Sequence, residues 1–548
     1  MRTATFQYFI IFLAQGHLRL EAGIDRPKGC VRMRNILEEK MKKGMMKVVL
    51  AFYILFCCAL AGAAQQPLPL IPFPAEVEFA AGAFRLDEKT SLVVSPADSA
   101  ELKTIAGILQ DKVRTGVGIS VPMSEAGMKA GKSISLELVS DPELALHGGE
   151  SYRLKVSADG IRISAVQAHG LFNGTMTALQ LLEAGKGEVP CLSIFDYPRF
   201  SHRGILIDPA RNFLSVAMVK QVIDKMSQLK MNVLHFHLVD DQGWRFESKI
   251  FPKLQQIGGA TGYYTQDQLR DLVAYGQARY VTIMPEIEMP GHSRAMLAAY
   301  PELTCSGEKV EVAAHRGIFT TTLCPGKPEV YEFLDKLLKE VAGIFPSYYI
   351  HTGSDEVAAR DWESFAPNRE LGENLRQKGN KGLQCYFINR VNQTFLGMGR
   401  RMTVWDEMVD CLPEGSRVQA WRSIKAAETA VDAGHEVVVS LINPWYLDYP
   451  EWLWKLKKVY KFDPVPAGLG AEKHKLIAGG EGCLWGESAP EETIMPKLFP
   501  RIMAIAEVLW SPEESRDWRS FKCRKKSVQK IFEDQGVKFF LYFPLGPF

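Results

Sequence analysis

The chain has 548 residues, 47% of them hydrophobic and 23% charged, with 65 Lys/Arg against 63 Asp/Glu. These values exclude a disordered, collagen-like or small disulfide-scaffold protein, and the length suits two or three domains. A formal charge of +2 supplies no basic excess to draw the chain to phosphate backbones, so nucleic acid is not expected as a partner.

Residues 1–64 hold ten Lys/Arg and four Asp/Glu, a surplus of +6 that leaves the remainder at −4. Within them Val48 to Ala64 is a run of seventeen uncharged residues, preceded by Lys42, Lys43 and Lys47 and ending in small residues at Ala61-Gly62-Ala63. A basic segment, an apolar run and a small-residue cleavage site make about residues 46–64 a secretory signal peptide, and residues 1–64 a presequence. The run is short of the roughly twenty apolar residues that a membrane span needs. No later segment is long and apolar enough to cross a membrane, so the expectation is an exported protein, periplasmic or extracellular, with no span in the mature chain. Seven of the ten cysteines follow the presequence. They form no CxxC pair and no Cys/His cluster at zinc spacing, so no metal and no cofactor is expected. A Cys305–Cys324 bridge across one loop fits an oxidising compartment, and buried free thiols fit the sequence equally.

From residue 65 to 195 short alternating runs such as Ser91 to Val94, Ser133 to Val139 and Tyr152 to Ser157 are joined by Gly- and Asp-rich turns. With helical stretches near Glu101 to Val113 and Gly170 to Ala184, they predict a small α+β domain without dense chemistry, suited to buttressing its neighbour. Residues 196–520 change texture to a repeated apolar strand, polar loop and amphipathic helix, the pattern of βαβ crossovers. Eight strands are predicted: Gly204 to Asp208, Val233 to Val239, Val281 to Glu286, Tyr348 to Thr352, Met402 to Trp405, Val418 to Trp421, Val437 to Leu441 and Leu476 to Glu481. Eight such units predict an α/β fold, a (β/α)8 TIM barrel whose chemistry lies at the carboxyl ends of the strands. Residues 521–548 are read as a C-terminal tail.

Each predicted strand ends in acid, aromatic or both. In order these are Asp208 and Arg211; His237, Asp240, Asp241, Trp244 and Arg245; Glu286, Glu288 and His292; Asp355-Glu356; Trp405-Asp406-Glu407; Trp421; Trp445, Tyr446 and Asp448; and Trp485 and Glu487. Eight ends in register converge on one pocket of carboxylates and indoles. Indole and phenol faces pack on the apolar face of a pyranose while carboxylates and Arg meet its hydroxyls, so the expected ligand is a sugar. The loop after the seventh strand is especially aromatic, with Trp445, Tyr446, Tyr449, Trp452, Trp454 and Tyr460. The adjacent Asp355 and Glu356 suit acid/base work, because neighbouring carboxyls push each other's pKa apart and one can stay protonated near neutral pH. On an extended chain they would point apart, so both serve one ligand only if the backbone turns at the strand end.

Five motifs stand in order and spacing: His235-Phe-His-Leu-Val-Asp-Asp-Gln-Gly-Trp-Arg, Met284-Pro-Glu-Ile-Glu-Met-Pro-Gly-His, His351-Thr-Gly-Ser-Asp-Glu-Val, Val404-Trp-Asp-Glu and Trp485-Gly-Glu. In these the chain resembles glycoside hydrolase family 20, the β-N-acetylhexosaminidases, over roughly Leu68 to Trp518. The resemblance implies exo-hydrolysis of terminal β-linked GlcNAc or GalNAc from N-acetylhexosamine-containing oligosaccharides or glycoconjugates. It implies retention without an enzyme nucleophile, the 2-acetamido oxygen attacking C1 to form an oxazolinium ion. By position Glu356 is then the general acid and base, and Asp355 holds the acetamido N–H. Tyr446 donates to the acetamido oxygen, and Asp240 and His292 form a relay to Glu356. Trp405, Trp421 and Trp485 wall the pocket, and Arg211, Asp448 and Glu487 bind ring hydroxyls. The sequence departs from the family where Ser354 replaces the second Gly of Gly-Gly-Asp-Glu. A Ser there costs little unless the position needs positive φ or close backbone approach.

Three other readings are kept. His235-x-His237, with His292 and His351, could mark a metal-dependent barrel hydrolase, although strand residues two apart also fit a buried layer of satisfied imidazoles. A sugar-binding protein without catalysis is the second. A retaining glycosidase with a carboxylate nucleophile, acting on sugars that lack an N-acetyl group, is the third.

Overall fold

The computed structural model describes residues 68–124, 131–375 and 377–539. The predicted presequence lies outside them. The first domain is a six-stranded sheet of β1 (Glu76–Arg85), β2 (Ser91–Ser95), β3 (Ser133–Leu138), β4 (Tyr152–Ser157), β5 (Gly160–Ala165) and β6 (Glu188–Asp196), in the order β1-β6-β4-β5-β3-β2. Helices Ala100–Gly116 and Ala168–Ala184 accompany it, and fourteen residues of the second are buried.

The second domain is a closed barrel. Its strands are β7 (His202–Ile207) and β8 (Val233–His237), then, past a small ribbon of β9 (Val239–Asp240) and β10 (Gly243–Trp244), β11 (Thr282–Glu286), β12 (Tyr349–His351), β13 (Arg401–Trp405), β14 (Arg417–Ala420), β15 (Glu436–Val439) and β16 (Ile477–Leu484). All eight barrel pairings are parallel. Helices including Val216–Gln228, Gln266–Gln277, Pro328–Ala342, Gly379–Gly397, Ile424–Asp432 and Arg501–Trp510 lie between and after the strands. Apolar stripes at helical spacing make them pack: Val219, Val222, Ile223 and Met226 of the first are buried in the barrel's main core. Ser215 caps that helix, its Oγ accepting the Met218 N–H at 3.2 Å.

The two domains are joined by buried polar contacts. Lys230 Nζ donates to Asp196 Oδ2 and to the Tyr152 hydroxyl, both at 2.9 Å, and Trp510 Nε1 donates to Asp196 Oδ1 at 2.9 Å. The first domain thus buttresses the amino-terminal side of the barrel. Helix Trp518–Asp534 runs past residue 520, burying Phe521, Val528 and Phe532 and pairing Arg524 with Glu507 at 2.6 Å. Residues 521–534 are therefore packed structure, where a C-terminal tail was expected.

The barrel interior is polar, where such interiors are usually filled by branched apolar side chains. Alternate strands β8, β12, β14 and β16 contribute His235, His351, Gln419 and Glu481, all fully buried. Glu481 Oε1 accepts from His235 Nδ1 and Gln419 Nε2, each at 2.8 Å. Gly204 lies against this carboxylate, since a Cβ there would come within 2.5 Å of Glu481 Oε2. Disulfides join Cys305 to Cys324 and Cys385 to Cys411, and among the described residues Cys191, Cys483 and Cys523 are free. Among the described residues no helix is long and apolar enough to cross a membrane.

Candidate active site

At the carboxyl ends of the barrel strands is a cavity of about 370 Å³. It is lined by Arg211, His292, Asp355, Glu356, Trp405, Trp421, Tyr446, Asp448, Trp485 and Glu487, joined by Arg316, Ile442, Tyr449 and Ser488. Of the residues given a role by the family resemblance, only Asp240 stands behind this lining.

The backbone after β12 brings the two adjacent carboxylates together. Gly353, Ser354 and Glu356 have φ values of +63°, +75° and +49°, so the chain coils on leaving the strand. Asp355 is half-buried and Glu356 exposed, and both line the same cavity. Gly353 is also a close approach, because a Cβ there would fall within 2 Å of the Glu288 carboxylate. Ser354 occupies the left-handed conformation that the sequence-based argument named as the costly case, on the order of 1 kcal/mol for a non-glycine residue. Its hydrogen bonds offset that: N–H to Glu288 Oε1 at 2.8 Å, Oγ to the Met289 carbonyl at 2.9 Å, and its carbonyl accepting from Gln384 Nε2 at 2.9 Å.

Behind Glu356 stands His292, its Nε2 3.4 Å from Glu356 Oε2. On its other side Nδ1 is 3.0 Å from Asp241 Oδ2 and 3.4 Å from Asp240 Oδ1. The relay therefore has two anchoring carboxylates where one was expected, and Asp241 makes the shorter contact. Asp240 meanwhile accepts from His237 Nε2 at 3.0 Å and from Arg211 at 2.5 Å. Burial opposes charge on His292, but Asp240 and the bonds to Asp241 and Glu356 outweigh it and hold its pKa well above the usual histidine value. As an imidazolium it donates in both directions.

Four carboxyls in and behind the cavity lining are raised as well, there by burial. Burial raises Asp355 to about 6, with Glu286 and Glu356 adding to it against the pull of His292. Burial, then Asp355 and Asp406, push Glu407 to about 8, and burial with Glu487 pushes Asp448 to about 7. Glu288 is raised well above the carboxylate range by burial and then Asp355. Asp355 Oδ1 and Asp448 Oδ1 are buried atoms with no hydrogen-bond partner. Such atoms call for a donor.

The aromatic walls are held from behind. Trp405, 1% exposed, donates its indole N–H to Glu286 Oε1 at 3.0 Å, and its ring centroid is 5.9 Å from that of Trp485. Trp421 donates to Glu407 Oε1 at 3.1 Å. The Tyr446 and Trp485 rings are 6.0 Å apart, and the Arg211 guanidinium lies 5.2 Å over Trp485. Arg211 also donates to Asp208 Oδ2 at 3.1 Å and approaches Glu487 at 4.0 Å.

Several strand-end residues do not join the site. Trp244 and Trp445 are fully buried and donate to the carbonyls of Phe246 and Val459. Arg245 is buried and bonded to the Pro209 and Ala210 carbonyls. In the aromatic loop Tyr460 is buried and donates to Glu507 at 2.9 Å, Trp452 is 58% exposed, and only Tyr446 and Tyr449 reach the cavity. Sequence reasoning missed Arg316, which carries no motif, and the supporting roles of Asp241, Glu286 and Glu407, which had stood in view at strand ends.

Residues 200–513 match the family model for glycosyl hydrolase family 20, catalytic domain, and residues 68–197 match that for glycosyl hydrolase family 20, domain 2. The chain belongs to this family. It is 32% identical over 543 residues to a beta-hexosaminidase of Porphyromonas gingivalis, covering 91% of this chain and 69% of that one. It is 33% identical over 402 residues to the human beta-hexosaminidase subunit beta, covering 70% of each. Among solved structures, the GH20 beta-N-acetylhexosaminidase of Streptomyces coelicolor is similar with a TM-score of 0.78 at 29% identity, covering 86% of this chain and 97% of that one. The same score and identity hold for a mutant Streptomyces plicatus beta-hexosaminidase in complex with its product GlcNAc, over 86% and 96% of the two chains. This family member is a glycoside hydrolase of the β-hexosaminidase type. Membership displaces the metal-hydrolase reading of His235 and His237, whose ring nitrogens face Glu481, Glu286 and Asp240.

Proposed function

We propose that the protein removes terminal, non-reducing β-linked GlcNAc or GalNAc with retention of configuration, using the substrate's own acetamido group as the nucleophile. The observation that carries this reading is the division of labour between two adjacent carboxyls. Glu356 is exposed at the cavity and backed by an imidazolium, whereas Asp355 is recessed with an unpartnered oxygen. An acid that protonates a leaving oxygen must reach the open side, and a carboxylate that holds an acetamido N–H belongs on the recessed side.

In the first step Glu356 gives its proton to the glycosidic oxygen while the acetamido carbonyl oxygen attacks C1. The C1–O glycosidic bond breaks, and the positive charge is carried by the oxazolinium ring beside ionised Asp355. The Tyr446 hydroxyl donates to the acetamido oxygen, aligning it on C1, and Trp405, Trp421 and Trp485 enclose the acetamido methyl and the ring. In the second step Glu356, now a carboxylate, takes a proton from water as that water attacks C1 and opens the oxazolinium ring. Two inversions give net retention. Arg211, Asp448 and Glu487 hold the ring hydroxyls. The uncharged run Val48 to Ala64 and the two disulfides support export to an oxidising periplasmic or extracellular space; an amino terminus near Gln65 on secreted material checks this.

The test compares 4-nitrophenyl N-acetyl-β-glucosaminide with the plain 4-nitrophenyl β-glucoside, using wild type, Glu356→Gln and Asp355→Asn. Cleavage of the acetamido substrate alone, reduced in both variants, is expected. Equal cleavage of the glucoside would replace this mechanism with an enzyme nucleophile, and no cleavage at all would return the protein to sugar binding.

A further inference from the structure

At the centre of the barrel one carboxylate accepts from an indole and an imidazole and lies beside two further imidazoles. Glu286, at the end of β11, is fully buried. Its Oε1 accepts from Trp405 Nε1 at 3.0 Å and lies 2.8 Å from His351 Nδ1. Its Oε2 faces His237 Nδ1, and His235 Nε2 is 3.2 Å away. Two of these partners lead to different parts of the site. Trp405 is a wall of the sugar cavity. His237 passes the contact on, because its Nε2 donates to Asp240 at 3.0 Å, Asp240 is 3.4 Å from His292, and His292 is 3.4 Å from Glu356.

We infer that Glu286 is a positioning residue: a single buried carboxylate fixes both the indole wall that receives the sugar and the histidine–carboxylate chain that orients Glu356. The inference rests on the roles proposed above for Trp405 and Glu356. Glu286 touches neither substrate nor reacting atoms.

The chemistry requires a carboxylate. Each oxygen of Glu286 accepts from one donor, Oε1 from Trp405 and Oε2 from His237, and an ionised carboxyl is acceptor-only at both. A glutamine of the same shape has one acceptor oxygen, and its NH₂ would confront either the Trp405 indole N–H or the His237 Nδ1–H. The negative charge also pairs with imidazolium: burial opposes charge on His237 and His235, yet Glu286 with Asp240 holds the first at about 10, and Glu481 with Glu286 the second at about 9. Charge alternates along the path from Glu286 through His237, Asp240 and His292, so each group is held by two neighbours of opposite sign.

The test is the kinetic profile of Glu286→Gln on 4-nitrophenyl N-acetyl-β-glucosaminide. Losing one charge-assisted contact on each branch should raise KM and lower kcat by roughly ten-fold each. The acid limb of kcat/KM should also move below the wild-type value near 6, because Glu286 is among the groups that raise Asp355. The branches separate in single variants: Trp405→Phe should raise KM with little change in kcat, and His237→Gln should lower kcat with little change in KM. Loss of active protein alone, with KM and the acid limb unmoved, would overturn the inference, as would wild-type values. If Glu286→Gln does not fold, the double variant Trp405→Phe/His237→Gln decides: coupling through Glu286 makes its combined fold-change differ from the product of the single ones, and simple multiplication contradicts the inference. GlcNAc binding followed by tryptophan fluorescence reads the Trp405 branch without turnover, so a failure of the proposed mechanism is told apart from a failure of this one.

Discussion

Three carboxylates of the barrel interior and two of the cavity above it are shifted in opposite directions. Inside, burial raises the pKa of Glu481, Glu286 and Asp240, but His235, His237 and Arg211 respectively overcome it, and all three stay well below the carboxylate range. At the cavity His292 near Asp355, and Lys497 with Arg501 near Asp448, do not outweigh the same burial, and Asp355 and Asp448 rise to about 6 and 7. The interior carboxylates find their donors within the protein, whereas Asp355 and Asp448 each keep an unpartnered oxygen that a ligand's N–H or O–H can meet. The difference teaches where this fold spends its charge pairs on structure and where it withholds them for binding.

The largest expected effects come from the cavity set. Glu356→Gln should reduce kcat for the acetamido substrate by ~10²–10⁴-fold, the range for removing a general acid–base. Asp355→Asn should cost ~10²–10³-fold, as for removing a group aimed at developing charge. Steady-state kinetics checks both, and activity within a few-fold of wild type in either would erase the distinction between the sets.

Breaking the interior set should act on stability instead. Glu481→Gln leaves His235 and His202 without their shared partner, and removing one member of a buried ion pair costs about 3–5 kcal/mol. Urea denaturation reads that loss. The interior also sets an alkaline limit. His235 and His237 are raised from 6.5 to about 9 and about 10, so their contribution is fully present below pH 6.5 and is lost as pH rises through 9 to 10. Melting temperature should fall across that window.

The acid side belongs to the cavity. Asp355 rises from 3.8 to about 6, and the mechanism needs it ionised, so kcat/KM should fall as pH drops below about 6. The same shift has a stability consequence of the reverse kind. Between 3.8 and 6 the folded state binds more protons at this site than the unfolded state, so stability is lost as pH rises through that window. Asp355→Asn should therefore be more stable than wild type by ~1 kcal/mol at pH 7.5, with the gain disappearing toward pH 4. The smallest effect is expected at Trp452, 58% exposed and outside the cavity lining: Trp452→Ala should change kcat/KM for a small aryl glycoside less than two-fold by the neutral behaviour of exposed sites.

Much of this architecture is legible in the sequence. All eight barrel strands overlap their predicted ranges, because buried parallel strands are nearly continuous apolar runs bounded by polar loops. Strands β1, β5 and β6 of the first domain were not anticipated. The run Glu76–Arg85 is largely exposed and rich in Ala and Gly, so it shows no apolar alternation. The cavity lining followed from strand-end counting, since a barrel brings those positions together whatever the loops do. Hand and depth were hidden. Nothing in His351-Thr-Gly-Ser-Asp-Glu reveals that Ser354 and Glu356 adopt positive φ, and this turn is what lets adjacent carboxyls share a cavity. Trp445 and Tyr446 are neighbours of similar composition, yet one is core and the other wall. The shorter contact of Asp241 to His292 depends on side-chain placement at the β9–β10 ribbon. The Cys385–Cys411 bridge depends on helix Gly379–Gly397 lying beside the segment after β13.

The central claim is that the acetamido group is the nucleophile and Asp355 its holder. The most direct measurement is inhibition by a thiazoline that mimics the bicyclic intermediate, run on wild type and Asp355→Asn. Competitive inhibition of wild type far stronger than by GlcNAc, and lost in Asp355→Asn, is the predicted result. A thiazoline that binds no better than GlcNAc, or equally well to both proteins, would contradict it.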